Sequence, residues 1–228
     1  MALKTTFLLC AFLALASADL ANEAKEAIEA LKGVVQDRIL AAHSDLDIGL
    51  TTFLTNSENV ASNAARAILE LQETIDAQLQ EIKDLALEAD ISISPCTNVR
   101  EQALNKLPGR LIEELGKYVS DAKGQASSAT ISGFYLVDIL INKVQSLDFQ
   151  LHQCQGDLLC IAPLLTEVEN HKVQLVQNVD TEFEAVEYAL LTLKLNVQSY
   201  SDSRITTYIR DGFDIVRTIR NCANNLIV

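Results

Sequence analysis

Along almost the whole chain apolar residues recur at steps of three and four, and that spacing leaves helix as the only regular structure available. Residues 20–42 place Ile28, Leu31, Val35 and Ile39 on one face; residues 68–89 continue with Ile68, Leu71, Ile75, Leu79, Ile82 and Leu85. Residues 131–153 repeat the theme with Val137, Leu140, Val144, Leu147 and Leu151. A longer seam then runs from Leu165 through Val168, Leu175, Val179, Val186 and Leu190 to Val197. Only three prolines punctuate the 228 residues. Each lies at or near an expected break: after Ile91-Ser-Ile-Ser, at Leu107-Pro108-Gly109, and at Pro163, read as a first helical position where the missing N–H costs nothing. Further boundaries are expected at Ser44 or Asp45 as a helix cap, before Ile131, at Gln155-Gly156-Asp157, and at Ser201–Ser203. The expected fold class is all-α.

The first 18 residues have the layout of a secretory signal: Lys4, a short apolar run from Phe7 to Leu15, and small residues Ala16-Ser17-Ala18 before the cleavage point. The run is too short to span a bilayer, which takes roughly 20 apolar residues. The expected organisation is therefore a signal peptide (1–18), an acidic amphipathic helical region (19–92) and a disulfide-linked bundle (96–228), secreted into an extracellular fluid. Removal of the signal also removes Cys10, leaving Cys96, Cys154, Cys160 and Cys222. An even count in an exported chain reads as two disulfides.

If consecutive helices alternate in direction across short connections, four helices over 97–226 bring all four cysteines to one pole. Cys96–Cys154 with Cys160–Cys222 is then the preferred pairing, one staple for each antiparallel pair. Cys154–Cys160 across the Gly156 turn, with Cys96–Cys222, remains open. The acidic region becomes an N-terminal long-helix extension, and its stripe on residues 68–89 is expected to support coiled-coil self-association.

Composition narrows the chemistry. The net charge of −13 excludes the basic stripe that nucleic-acid binding requires. Residues 19–95 carry 15 acidic and 5 basic side chains, which reads as a solvated helix face. No nucleophile elbow, dinucleotide turn, P-loop or His-Glu-x-x-His helix occurs. A zinc set of His152, Cys154, Cys160 and His171 is less favoured than disulfides in an oxidising compartment. Asp45-Leu-Asp47-Ile-Gly49 lacks the later ligands of a calcium loop, with Asn56 at the twelfth place. His43, His152 and His171 lack the Glu-x-x-His spacing of a di-iron bundle. Glu182, Glu184 and Glu187 point in different directions, and Arg210, Arg217 and Arg220 are offset by Asp211 and Asp214. No catalytic residue, metal site or cofactor is expected, and the chain is read as a non-enzyme.

The segment Cys96–Cys222 contains Cys154-Gln-Gly-Asp-Leu-Leu-Cys160 and ends in Arg220-Asn221-Cys222-Ala-Asn-Asn. It resembles the small secreted helical proteins of insects, most closely the TsetseEP-type domain. That resemblance implies an extracellular insect protein of the gut or another body fluid, and it transfers no catalytic residues. The expected function is that of a secreted structural or interaction protein, open to self-association through its helices. The alternative is a carrier of lipid or small apolar ligands, working through its amphipathic helices without spanning a membrane.

Overall fold

A computed structural model describes the backbone of residues 2–227 and the side chains of residues 18–226. The side chains of residues 1–17, within the expected signal segment, lie outside the described residues. Three helices account for nearly everything: α1 (Ala2–Glu88), α2 (Ser94–Cys154) and α3 (Leu158–Ile227). No strand occurs among the described residues. The all-α expectation holds, but three uninterrupted helices replace the shorter ones expected, and the count of about four over 97–226 becomes two.

The expected breaks fail for a common reason. Ser44 and Asp45 sit exposed inside α1, between the buried Ala42 and Leu46. Ser201, read as part of a cap or turn, is buried inside α3, where its hydroxyl donates to the Val197 carbonyl at 2.8 Å. Ser57 does the same toward Phe53 at 2.7 Å. A hydroxyl bonded to the carbonyl one turn back needs no other partner, so it can face the core from mid-helix. Pro108 and Pro163 also lie inside helices, with Pro163 five residues beyond Leu158 rather than at the first position. An interior proline costs about 3 kcal/mol; Leu104, Leu107, Leu111 and Leu115, all buried on the face that spans Pro108, outweigh it.

Both turns have defined stop signals. After α1 the Asp90 N–H reaches the Leu87 carbonyl at 3.0 Å and the Ile91 N–H reaches Ala86 at 2.9 Å, with Asp90 at φ 55°. This is a Schellman cap with aspartate where glycine is usual. After α2, Gln155 and Gly156 take positive φ (47° and 85°). Asp157 then caps α3: its Oδ1 accepts from the Leu159 N–H at 3.0 Å while its carbonyl accepts from Ile161 at 2.9 Å.

The chain packs as two compact units, each taking a stretch from all three helices. Unit 1 combines Met1–Leu50 with Ser128–Ala189, and unit 2 combines Thr51–Ser127 with Leu190–Val228. In unit 1, Ile28, Leu31 and Val35 of α1 cluster with Val137 and Val144 of α2 and Val168 and Leu175 of α3. In unit 2, Ile68, Ile75, Leu79 and Ile82 of α1 cluster with Leu104 and Leu111 of α2 and Tyr208 and Ile219 of α3. Residues 19–92 are thus one wall of each unit rather than an extension. The 68–89 stripe, expected to drive self-association, is spent inside unit 2.

The buried positions recur every eleven residues. Val35, Leu46, Ser57, Ile68 and Leu79 mark this interval in α1, as do Leu164, Leu175, Val186, Val197, Tyr208 and Ile219 in α3. Eleven residues over three turns (about 3.67 per turn) keep a stripe closer to one face of a helix than a heptad does, and do not impose a heptad's left-handed supercoil.

The disulfides are Cys96–Cys222 and Cys154–Cys160. The preferred pairing, Cys96–Cys154 with Cys160–Cys222, is therefore wrong, and so is the single pole. Cys96 and Cys222 belong to unit 2, Cys154 and Cys160 to unit 1. With α2 uninterrupted, Cys96 opens the helix that Cys154 closes, so no bond between them is within reach.

This packing has measurable consequences. The two bonds close loops with sequence separations of 126 and 6 residues. The chain-entropy model makes loss of Cys96–Cys222 cost about 5 kcal/mol and loss of Cys154–Cys160 about 2 kcal/mol. Urea unfolding of the paired Cys→Ser variants measures both.

A Cβ at buried Gly133 would meet Val186 Cγ2 at 2.6 Å, whereas one at Gly212 would meet Ile75 Cδ1, the tip of a side chain that can swing away, at 2.5 Å. Gly133→Ala should destabilise by about 1–2 kcal/mol despite alanine's helix preference, while Gly212→Ala should stay within about 0.5 kcal/mol. The same unfolding curves decide it.

Candidate functional surfaces

The four cysteines singled out from the sequence are all consumed in disulfides, which removes the thiolates that a zinc set would need. His152 is exposed, 4.0 Å from Asp148, and His171 packs with Nε2 3.5 Å from Glu167. Among the described residues no group of three or more His, Cys, Asp or Glu side chains is placed to hold a metal ion. Asp45 and Asp47 lie in mid-helix on α1, so no loop exists there to wrap a cation. Glu184 and Glu187 point to solvent and Glu182 is half-buried.

The basic residues of the last turns are each paired. Arg210 hydrogen-bonds Asp211 at 2.8 Å, which holds its guanidinium above the usual range; Arg217 meets Asp214 at 2.7 Å and Arg220 meets Glu81 at 3.6 Å. They do not converge on a shared anion site. Beside them an open groove of about 710 Å³ runs between α2 and α3 in unit 2. Its floor is Ala103, Leu107 and Ile215, with Lys106 and Arg110 along one edge and Asp211 and Asp214 along the other.

Three features had little signal in the sequence. In unit 2, Tyr118 and Tyr200 stack at 4.0 Å with planes 7° apart, and Arg204 lies 4.7 Å over the Tyr200 ring while bonding Glu114 at 2.8 Å. This ladder clamps α2 to α3 through stacking and a charge-assisted hydrogen bond. In unit 1, His43 of α1 stacks on Phe134 of α2 at 4.4 Å, with Nε2 3.4 Å from Asp138. Immediately beside it, Ile131 and Tyr135 are 66% and 67% exposed and Ile139 is 40% exposed, although Val137 on the same helix is fully buried. Steps of four align these three on the outward face of α2.

Among the described residues, no helix is long and apolar enough to cross a membrane. No protein family, curated protein or solved structure matches this chain.

The third feature is Tyr208, fully buried in the unit 2 core with no hydrogen-bond partner for its hydroxyl. Burial, reinforced by the Asp76 carboxylate, pushes the phenol from 10.0 up to about 12. A folded-state value above the unfolded one means that this group's contribution to stability is complete below pH 10 and is lost as pH rises toward 12. Tyr208→Phe deletes an unsatisfied polar atom and should stabilise the fold at neutral pH by about 1 kcal/mol. The ultraviolet difference titration between the two proteins, read at the phenolate band, should centre near pH 12 rather than pH 10.

Proposed function

We propose that this chain is a secreted, non-enzymatic helical protein that acts by surface contact in an extracellular fluid. Its resemblance to the TsetseEP-type domain suggests the gut or body fluid of an insect. Disulfides in both units are compatible with an oxidising compartment. The observation that carries the reading is the outward stripe of Ile131, Tyr135 and Ile139 on α2. Ile28, Leu31 and Val144 of the same unit are buried, and the other large apolar residues that unit 1 exposes, such as Leu40, Phe149 and Leu159, are scattered along the helices instead of stacked at steps of four. A clustered apolar stripe on a wet face is a contact surface, because leaving it in water forfeits its burial energy.

The occupant this reading assigns to the stripe is a second copy of the chain. Two such stripes laid against each other cover tyrosine and isoleucine, while the neighbouring Asp138 keeps its contact with His43 at 3.4 Å. Light scattering of the purified, disulfide-bonded protein should show reversible self-association. Ile131→Ser/Tyr135→Ser should weaken it by at least about tenfold, the effect of roughly 1.4 kcal/mol of lost contact. A strict monomer at millimolar concentration, or unchanged association of the double variant, would overturn the assignment.

A further inference from the structure

The disulfide bonds divide the three helices unequally. Cys96–Cys222 ties the start of α2 to the end of α3, and Cys154–Cys160 ties the end of α2 to the start of α3. Helices α2 and α3 therefore form a covalently closed ring. Neither bond involves α1, which has no cysteine between residues 18 and 88 and is joined to the ring in sequence by the five-residue turn Ala89–Ile93. We infer that α1 can leave the α2–α3 ring as one helix, and that the apolar faces so uncovered bind a zwitterionic lipid surface. This goes beyond the contact function proposed above and does not rest on it.

Four observations converge on this. First, the polar ties of α1 are modest. Its ties to α2 and α3 include the pairs Arg38–Asp180, His43–Asp138, Lys83–Glu101, Lys123–Glu58 and Arg220–Glu81. These are surface contacts, each contributing little.

Second, the inner face of α1 mixes small and large side chains. Ala24, Ala42, Ala64, Ala86 and Ser57 are buried among larger residues such as Ile28, Leu31, Leu46, Phe53, Ile68 and Ile75. Burial energy follows apolar area, so a released α1 requires another apolar surface to cover those larger side chains.

Third, the buried stripe of α1 keeps its eleven-residue interval from Ala24 and Val35 through to Leu79. A stripe that stays on one face of a helix suits a flat apolar boundary as well as it suits a bundle. Fourth, the opposite face is acidic: residues 19–88 carry 14 Asp and Glu against 5 Lys and Arg. That face repels an anionic bilayer and leaves an uncharged or zwitterionic one as the surface it fits.

The hinge and the lock can both be tested. The position of Gly212 facing Ile75 allows a cross-link between α1 and α3: a Cβ built at Gly212 lies 3.8 Å from Ile75 Cγ1. Ile75→Cys/Gly212→Cys should therefore form a disulfide, and because α1 is uninterrupted, a single link stops it pivoting. Flotation with dimyristoylphosphatidylcholine vesicles should recover wild type and the unlinkable Ile75→Val/Gly212→Ala control alike. The oxidised cysteine variant, its helicity checked by circular dichroism, should bind at least about tenfold more weakly.

A second readout does not depend on the lock. The chain has no tryptophan and Phe53 of α1 is buried. In the Phe53→Trp variant, indole emission should be quenched by phosphatidylcholine brominated in its acyl chains.

Absence of wild-type flotation, equal flotation of the locked protein, or unquenched emission from the vesicle-bound Phe53→Trp variant would overturn the inference. So would tighter binding to phosphatidylglycerol vesicles. A lipid-independent dimer that the lock abolishes would instead assign the release of α1 to exchange between copies, and would also overturn it. Self-association through Ile131 and Tyr135 is read separately by light scattering, so failure of one proposal leaves the other standing.

Discussion

Everything in this molecule follows from burying one narrow stripe on each of three helices that do not stop. A helix buries its apolar face only against another apolar face, and here α1, α2 and α3 each supply a stretch to both units. Continuity of that stripe overrides the local signals that would end a shorter helix. Pro108 gives up a backbone hydrogen bond, yet Leu107 and Leu111 on either side of it stay buried. Ser201 and Ser57 turn their hydroxyls back along their own helices, so polar residues can occupy core positions without stranding a donor.

The same continuity decides the disulfides. Whether two cysteines meet depends on how many reversals of direction lie between them. Counting a break near residues 127–131 and another near 201–203 puts all four at one pole and favours Cys96–Cys154. Without those breaks Cys96 and Cys154 stand at the two ends of one helix, and the partners become Cys222 and Cys160. The pairing could not be read from the cysteines themselves. It was hidden in Thr130 and Gly133, whose burial carries α2 straight through a segment rich in serine, alanine and glycine.

Large aliphatic residues made the fold class legible. Ile28, Leu31, Val35 and Ile39 in α1, and Val137, Val144 and Leu147 in α2, are buried as their spacing requires. Legibility ended where the core is built from small or polar residues. Ala64, Ser57, Gly212 and Ser201 carry no hydrophobic signal, yet they fill buried positions between the aliphatic ones. Leu85 and Ile209, counted into apolar stripes, face solvent at 54% and 39% exposure. A heptad-like reading drifts one way around the helix and the eleven-residue interval the other, so residues at the stripe's edge are assigned to the wrong side. Candidate surfaces were less legible still. The Tyr118–Tyr200–Arg204 ladder joins residues far apart in the chain, and no local pattern marks it.

Small core residues and disulfides are two sides of one arrangement. Gly133 faces Val186 with no room for a methyl group, and Gly212 receives the tip of the Ile75 side chain, so each glycine admits a side chain from a facing helix. Close approach strengthens dispersion contacts but reduces the apolar area each residue withdraws from water. Cross-links supply stability without adding buried area. They supply it only to α2 and α3. The long-range bond, Cys96–Cys222, restrains the unfolded chain most, yet it leaves α1 outside the loop it closes. Helix α1 therefore draws its place in both units from packing and surface ion pairs, and it is also the most acidic of the three. Salt screens those pairs, whereas the disulfides hold α2 to α3 at any ionic strength.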